Sequence, residues 1–118
     1  MDKLRIDEAF KMMHSELKSL VPPCVEEGNE VTHYAVWAEK NGEKHLFCAI
    51  TQHTHSMTIE FNDKISEHDA KQLFSKYILE KMNKNGRLEV RIIENDMRRD
   101  IQDAIQNLMR YYTDKGWM

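Results

Sequence analysis

The amino-acid sequence predicts an α+β fold, with helices packed on an antiparallel sheet of about four strands. The observations behind this prediction are apolar stripes with helical spacing, a β-rich region from Val31 to Phe61, and the turn dipeptide Asn41-Gly42 inside that region. The chain has 118 residues, of which 41% are hydrophobic and 31% are charged. This length and composition are typical of one folded domain, so we assign residues 1–118 to a single domain.

The first predicted element is a helix over residues 4–20. Apolar residues recur there at alternating steps of four and three, which is the spacing of one helix face: Ile6, Phe10, Met13, Leu17 and Leu20. We expect this face to be core, with a partner-binding surface as the alternative. Pro22 and Pro23 end the helix because proline lacks the amide donor. The acidic segment from Cys24 to Glu30 is predicted to be a connection.

Two strands follow, Val31–Glu39 and Glu43–Gln52. Asn41-Gly42 between them favours a type I′ turn, which predicts a register in which the numbers of paired residues sum to 83. One face of this hairpin then pairs Tyr34, Val36 and Ala38 with Ala49, Phe47 and His45, and the other pairs His33, Ala35 and Trp37 with Ile50, Cys48 and Leu46. Both faces are largely apolar, so we expect the hairpin to be central, or covered on its second face by a partner.

The second half of the chain continues the alternation of strands and helices. We predict a strand over Ser56–Phe61, a helix over Glu67–Lys84, a strand over Arg87–Ile93 and a helix over Asp96–Lys115. Ser66 is the expected N-cap of the first of these helices, and Gly86 and Gly116 follow the two helix ends. The predicted order of elements is therefore α-β-β-β-α-β-α.

Charge and cysteine content narrow the class of protein. The formal net charge is -3 and the pI is about 6.1, whereas a nucleic-acid binder usually carries a basic face. A nucleic-acid-associated regulator is therefore the second-ranked function, and it would contact its ligand through Lys84, Arg87, Arg91 and Arg98. The sequence shows no leader, no apolar run that could span a membrane, and only two isolated cysteines, so the predicted compartment is the cytoplasm.

The histidines suggest a metal site as the third-ranked function. Side chains two residues apart in extended backbone point to one side, so His53 and His55 can face the same way. The predicted register places Glu30 opposite His53, with His33 one diagonal away. These four side chains would then converge as zinc or iron ligands. The alternative is a polar loop whose histidines are solvated.

No motif in the sequence indicates catalysis. Cys48 lies in an apolar strand, where burial makes a thiol inert. The serines lie in no glycine-flanked elbow, and the four glycines form no phosphate-binding loop. We therefore predict that the protein is not an enzyme and that it binds no cofactor.

Large amphipathic side chains favour a protein partner. Trp37, Tyr111 and Trp117 are the ones least easily assigned to a core, and the eight methionines suit an adaptable surface. The leading prediction is a non-enzymatic protein–protein interaction module, such as a small chaperone, an immunity protein or an inhibitor-like protein. A homodimer is one arrangement that this prediction allows. As alternatives, Trp37 is core beneath a helix, and Trp117 is either frayed or a docking group.

Four segments carry a resemblance to known families: Lys44–Ile50, His55–Phe61, Gly86–Ile92 and the last helix with Leu108, Tyr111 and Tyr112. Through them the chain from Glu43 to Tyr112 resembles small bacterial domains of unknown function typified by YdhG and, more distantly, the MmcQ/YjbR family. The resemblance implies an α+β fold of the double-wing or secretion-chaperone-like kind, with no catalytic residues to carry over. Related shapes serve as DNA-contacting or protein-docking modules. The chain departs from the family pattern between its second and third strands, where the family's aromatic and glycine positions are missing.

Overall fold

The computed structural model describes residues 3–28, 32–91 and 93–118, and within these ranges the chain forms seven strands and four helices. The strands are β1 (Lys3–Leu4), β2 (Val25–Gly28), β3 (His33–Lys40), β4 (Glu43–Gln52), β5 (Met57–Phe61), β6 (Arg87–Val90) and β7 (Ile93–Glu94). The helices are α1 (Ile6–Lys18), α2 (Glu67–Leu73), α3 (Lys76–Lys81) and α4 (Asn95–Asp114). The predicted α+β class is confirmed.

Five antiparallel strands form the main sheet, in the order β2-β3-β4-β5-β6. The sequence prediction treated β2 as a connection, because its four exposed residues lack the alternation of a half-buried strand. The predicted strand Arg87–Ile93 is also wrong in part, since β6 ends at Val90 and β7 pairs with β1 in a separate two-stranded sheet. Val31 and Ile92, both predicted to lie in strands, are outside the described residues.

The predicted helix Glu67–Lys84 is broken into α2 and α3. Between the two helices, Phe74 and Ser75 have extended backbone. Ser75 caps α3 by accepting a hydrogen bond from the Ile78 amide at 3.2 Å. The Ser75 hydroxyl also donates to Asp100 of α4 at 2.8 Å. A serine side chain competes with helical backbone in this way, so one residue both ends the first helix and starts the second.

Replacing Ser75 with alanine is expected to lower the free energy of unfolding by about 2 kcal/mol, because the cap and the bond to Asp100 are each worth about 1 kcal/mol. Ser66 provides the matched control, since its hydroxyl caps α2 by accepting from the Asp69 amide and no bond from it to another helix is seen. Ser66→Ala should therefore cost about 1 kcal/mol. Urea denaturation measures both variants, and a smaller loss for Ser75→Ala would contradict the bridging role.

All four helices bury side chains in one hydrophobic cluster on a single face of the main sheet. The predicted stripe of α1 lies in this cluster, with Phe10, Met13 and Leu17 at 2% exposure or less. The largest fully buried side chains include Tyr34, Tyr112, Phe47, Phe61, Ile50 and Ile101. The core therefore lies between the helix layer and one side of the sheet.

A β-bulge in β4 changes the predicted register of the hairpin. From the turn to the pair Trp37–Leu46 the residue numbers sum to 83, as predicted. The register then shifts by one residue between Val36 and Trp37. The pairs beyond the shift are Val36–Cys48, Ala35–Ala49, Tyr34–Ile50 and His33–Thr51. The predicted pairs Val36–Phe47, Ala35–Cys48, Tyr34–Ala49 and His33–Ile50 are therefore wrong.

Burial of large side chains explains the bulge. A strand that alternates strictly can place only every second residue on its core side. The extra residue in β4 lets Phe47, Cys48 and Ile50 all turn toward the helices, and each has 0% exposure. The smaller Ala49 and Thr51 fall on the opposite side.

Candidate functional site on the uncovered sheet face

The face of the main sheet opposite the core carries no helix in the part of the chain that the structure describes. We call it the open face. Side chains alternate along a strand and directly paired residues share a face, so the observed register assigns its members. They are Val25, Glu27, His33, Ala35, Trp37, Glu39, Lys44, Leu46, Ala49, Thr51, Thr58, Glu60, Arg87 and Glu89.

The centre of the open face is apolar. Five of its side chains form what we call the apolar patch: Val25, Ala35, Trp37, Leu46 and Ala49. Trp37 lies directly between its paired residues Val25 on β2 and Leu46 on β4. None of the five belongs to the cluster under the helices. Val25 is 36% exposed and Trp37 and Leu46 are half-buried, whereas the small Ala35 and Ala49 are buried between their neighbours. An apolar centre within a polar rim is the composition of a protein-binding surface.

Trp37 is the largest side chain of the patch and is half-buried. The Lys44 ammonium lies 5.0 Å from the centre of its indole ring, which is cation–π distance. The indole Nε1 is buried and has no hydrogen-bond partner among the described residues. A buried donor without an acceptor costs about 1–3 kcal/mol, so this unpaired indole N–H lowers the stability of the fold.

Two histidines lie at the end of the open face farthest from the turn. His33 Nδ1 is 3.0 Å from the Thr51 hydroxyl, and His53 Nε2 is 2.9 Å from the Thr58 hydroxyl. Thr51 and Thr58 are directly paired between β4 and β5, so the two imidazoles are separated by two threonines. The structure thus places His33 and His53 on one polar edge of the face.

The predicted metal ligands are not gathered in the described chain. His55 is exposed in the connection between β4 and β5, and Glu30 lies outside the described residues. Within the residues that the structure describes, no three or more His, Cys, Asp or Glu side chains form a group that could hold a metal ion. The metal site stays a prediction that depends on Glu30.

The four basic residues predicted to contact nucleic acid lie on different parts of the fold. Arg87 is on the open face, with its guanidinium 3.0 Å from Glu60 on β5. Arg98 is exposed on α4, in the helix layer, and Lys84 lies in the turn before β6. Arg91 follows the end of β6. Arg87 and Arg98 therefore belong to opposite layers of the molecule.

Tyr111 and Trp117, the other two predicted contact residues, pack within the chain. Gly116 has a φ of +77°, a value that favours glycine, and the reversal it makes lets the Trp117 amide donate to the Tyr112 carbonyl at 2.9 Å. The indole of Trp117 then stacks on His45 with ring centres 4.1 Å apart. Of the three predicted aromatic residues, Trp37 is the one on the open face.

Tyr111 forms a polar link between α4 and α2. Its hydroxyl donates to Asp69 at 2.6 Å, and this bond lowers the pKa of the Asp69 carboxyl. Burial, together with the bond to Asp69, raises the pKa of Tyr111 to about 12. This hydrogen bond links α4 to α2, so the Tyr111 side chain is engaged within the fold.

A cleft of about 440 Å³ lies where α2 and α3 meet the loop after β5. Its apolar wall includes Phe61, Ile65, Phe74, Leu79 and Met82. Sequence reasoning missed this cleft, because it depends on the break at Phe74 and Ser75, and the predicted continuous helix would have no concave side there.

The two cysteines lie outside the cleft. Burial raises the pKa of Cys24 to about 11 and that of Cys48 further still, as expected for unreactive thiols.

No known family model, curated protein or solved structure matches the chain. The resemblance to YdhG-like domains and to the MmcQ/YjbR family therefore stays a prediction. Among the described residues, none of the helices has both the length and the apolar character that crossing a membrane requires.

Proposed function

We propose that the protein is a non-enzymatic interaction module that binds another protein on the open face. The apolar patch around Trp37 carries this proposal, because it lies on the side of the sheet without helices and outside the core cluster. Tryptophan is enriched among the residues that dominate interface energies, and its neighbours Val25 and Leu46 extend the apolar contact area. The two buried, unpaired cysteines fit a reducing compartment such as the cytoplasm.

Charge on the open face favours a protein over a nucleic acid. The face has four carboxylates, on Glu27, Glu39, Glu60 and Glu89, and two cations, on Lys44 and Arg87. The Arg87 cation is already paired with Glu60. A phosphate backbone would meet net negative charge here, and this would oppose binding.

Replacing Trp37 with serine is expected to weaken partner binding at least ~30-fold, the loss of about 2 kcal/mol that an interface aromatic residue carries. Tyr77 gives a matched control, because it is an exposed aromatic on α3 (46% exposed) with the Lys81 ammonium 5.2 Å from its ring. The experiment immobilises three proteins on resin and exposes each to cell extract of the source organism. They are the wild type, Trp37→Ser and Tyr77→Ser. The captured partner would then be titrated by calorimetry.

The expected result is one partner held by the wild type and by Tyr77→Ser, and lost from Trp37→Ser. Val25→Lys serves as a second variant, since this exposed side chain can be changed without opening the core. Equal binding by all four proteins would overturn the proposal. Binding lost only from Tyr77→Ser would place the contact on the helix layer instead.

A further inference from the structure

We propose, resting on the protein-binding function above, that the partner supplies an extended segment rich in lysine or arginine, which adds to the main sheet as a strand beside β2. The inference depends on three features of β2: its unpaired outer side, its carboxylates, and its position next to Trp37.

The outer side of β2 is a free sheet edge in the described structure. β2 pairs with β3 on one side and ends the order β2-β3-β4-β5-β6 on the other. Every second residue of such a strand directs its N–H and C=O away from the sheet, where a further strand can pair with them. All four of its residues are exposed, so nothing in the described chain covers this edge.

The opposite edge, β6, is less suited to an incoming basic strand. Its outward charges are mixed, and both are engaged: Arg87 pairs with Glu60 at 3.0 Å, and Glu89 accepts a hydrogen bond from Ser56 at 3.1 Å. On β2 the charges are of one sign. Glu27 takes part in none of the ion pairs found among the described residues. Glu26 lies 3.7 Å from Lys18 and accepts a bond from the Tyr34 hydroxyl at 2.6 Å, so Glu27 is the carboxylate open to a new cation.

A second copy of the chain fits this edge poorly. Two β2 strands paired antiparallel about a twofold axis at Glu26 would place the two Glu26 carboxylates directly opposite each other, and an axis at Glu27 would do the same with the two Glu27 carboxylates. Like charges directly opposite each other destabilise a strand pair, whereas lysine or arginine there would stabilise it. The same two side chains therefore select a basic partner and disfavour self-association.

An added strand would also continue the open face. Val25 is paired with Trp37, so the next strand out places its own open-face side chains beside Val25 and within one strand of the apolar patch. Val25 and Glu27 share this face, so an incoming strand that alternates basic and apolar residues meets Glu27 when its basic side chains lie on the open face. This is recognition by strand addition, in which the backbone supplies affinity and alternate side chains supply specificity.

The test uses the isotope-labelled 118-residue chain and three synthetic peptides. The first alternates lysine and valine, the second has glutamate for every lysine, and the third has the first sequence with N-methyl groups that block its hydrogen-bonding edge. Amide chemical shifts and hydrogen exchange report where each peptide binds. We expect saturable changes and new amide protection at Val25–Gly28 with the first peptide alone.

Glu27→Lys should weaken this binding by about twofold to fivefold, the range that the loss of an opposed charge pair implies. Glu80→Lys is the matched control, because Glu80 is an exposed carboxylate on α3 and its reversal changes net charge equally. The inference would be overturned by any of four results: no binding of the first peptide, equal binding of the N-methylated peptide, changes confined to Arg87–Val90, or equal effects of the two charge reversals.

Failure of this inference differs from failure of the proposed function. If a natural partner loses affinity for Trp37→Ser but binds Glu27→Lys as well as it binds the wild type, the proposed function stands and the strand addition is wrong. Light scattering decides the occupant: a mass of 14.0 kDa is expected, and a stable dimer whose Val25–Gly28 amides are protected from exchange would show that a second copy occupies the edge.

Discussion

Replacing Ile50 with alanine will lower the free energy of unfolding by about 2–5 kcal/mol, whereas Leu46→Ala will cost about 1 kcal/mol. Ile50 is 0% exposed in the core, between its paired residues Tyr34 and Ile59. Leu46 has a side chain of the same size but lies half-buried on the open face. Truncating the first leaves a cavity, and truncating the second mainly removes partly exposed apolar surface.

This contrast tests the bulge in β4. In a strictly alternating strand residues 46 and 50 would share one face, and the two substitutions would have similar costs. Urea denaturation with a common slope gives both values. Costs equal within about 0.5 kcal/mol, or a larger cost at Leu46, would contradict the register shift at Val36 and Trp37.

Raising the pH through the alkaline range will lower the free energy of unfolding. Four groups have raised pKa values in the fold: Cys24 to about 11, Tyr111 to about 12, and Cys48 and Tyr112 upward by burial to a greater extent. Each must keep its proton when folded and can lose it when unfolded. Their contribution to stability is therefore complete below about pH 9. It is lost as the pH rises toward the pKa values that these groups have in the folded protein.

The fully buried groups make this loss steep. For each group that stays protonated only in the folded state, the free energy of unfolding falls by up to about 1.4 kcal/mol per pH unit. Urea midpoints measured from pH 7 upward, with tyrosinate absorbance followed in parallel, record the effect. Tyr111→Phe is the control and should make the decline shallower above pH 10, the ordinary pKa of that side chain. A midpoint that stays constant up to the pKa of Tyr111 would contradict the burial of these groups.

Local signals in the sequence predicted the elements whose determinants are local. Asn41 and Gly42 have φ values of +56° and +82°, so the turn forms as the dipeptide predicts, and Ser66 caps α2 as expected. The break at Ser75 was missed because its second partner, Asp100, lies 25 residues away. β2 was missed because an edge strand is held by its neighbour's backbone and needs no apolar pattern of its own.

The candidate site was predictable in part. The sequence identified Trp37 as a large side chain on a hairpin with two apolar faces, and the question it left was which face the helices cover. The answer depends on the bulge, which reassigns Cys48 and Ile50 to the core and Ala49 and Thr51 to the open face. The sequence could not show that Trp117, unlike Trp37, packs within the chain, because its stacking on His45 depends on the chain reversal at Gly116.

The strand order also has a consequence for how the chain folds. In the main sheet each strand lies beside its neighbour in sequence, so pairing β2 through β5 requires closing only short loops, two of which are Asn41-Gly42 and His53–Ser56. β6 is separated from β5 by residues 62–86, which include α2 and α3, and its pairing closes the longest loop in the sheet. Local contacts of this kind favour fast folding, with the hairpin of β3 and β4 cheapest to form and the β5–β6 pair costliest.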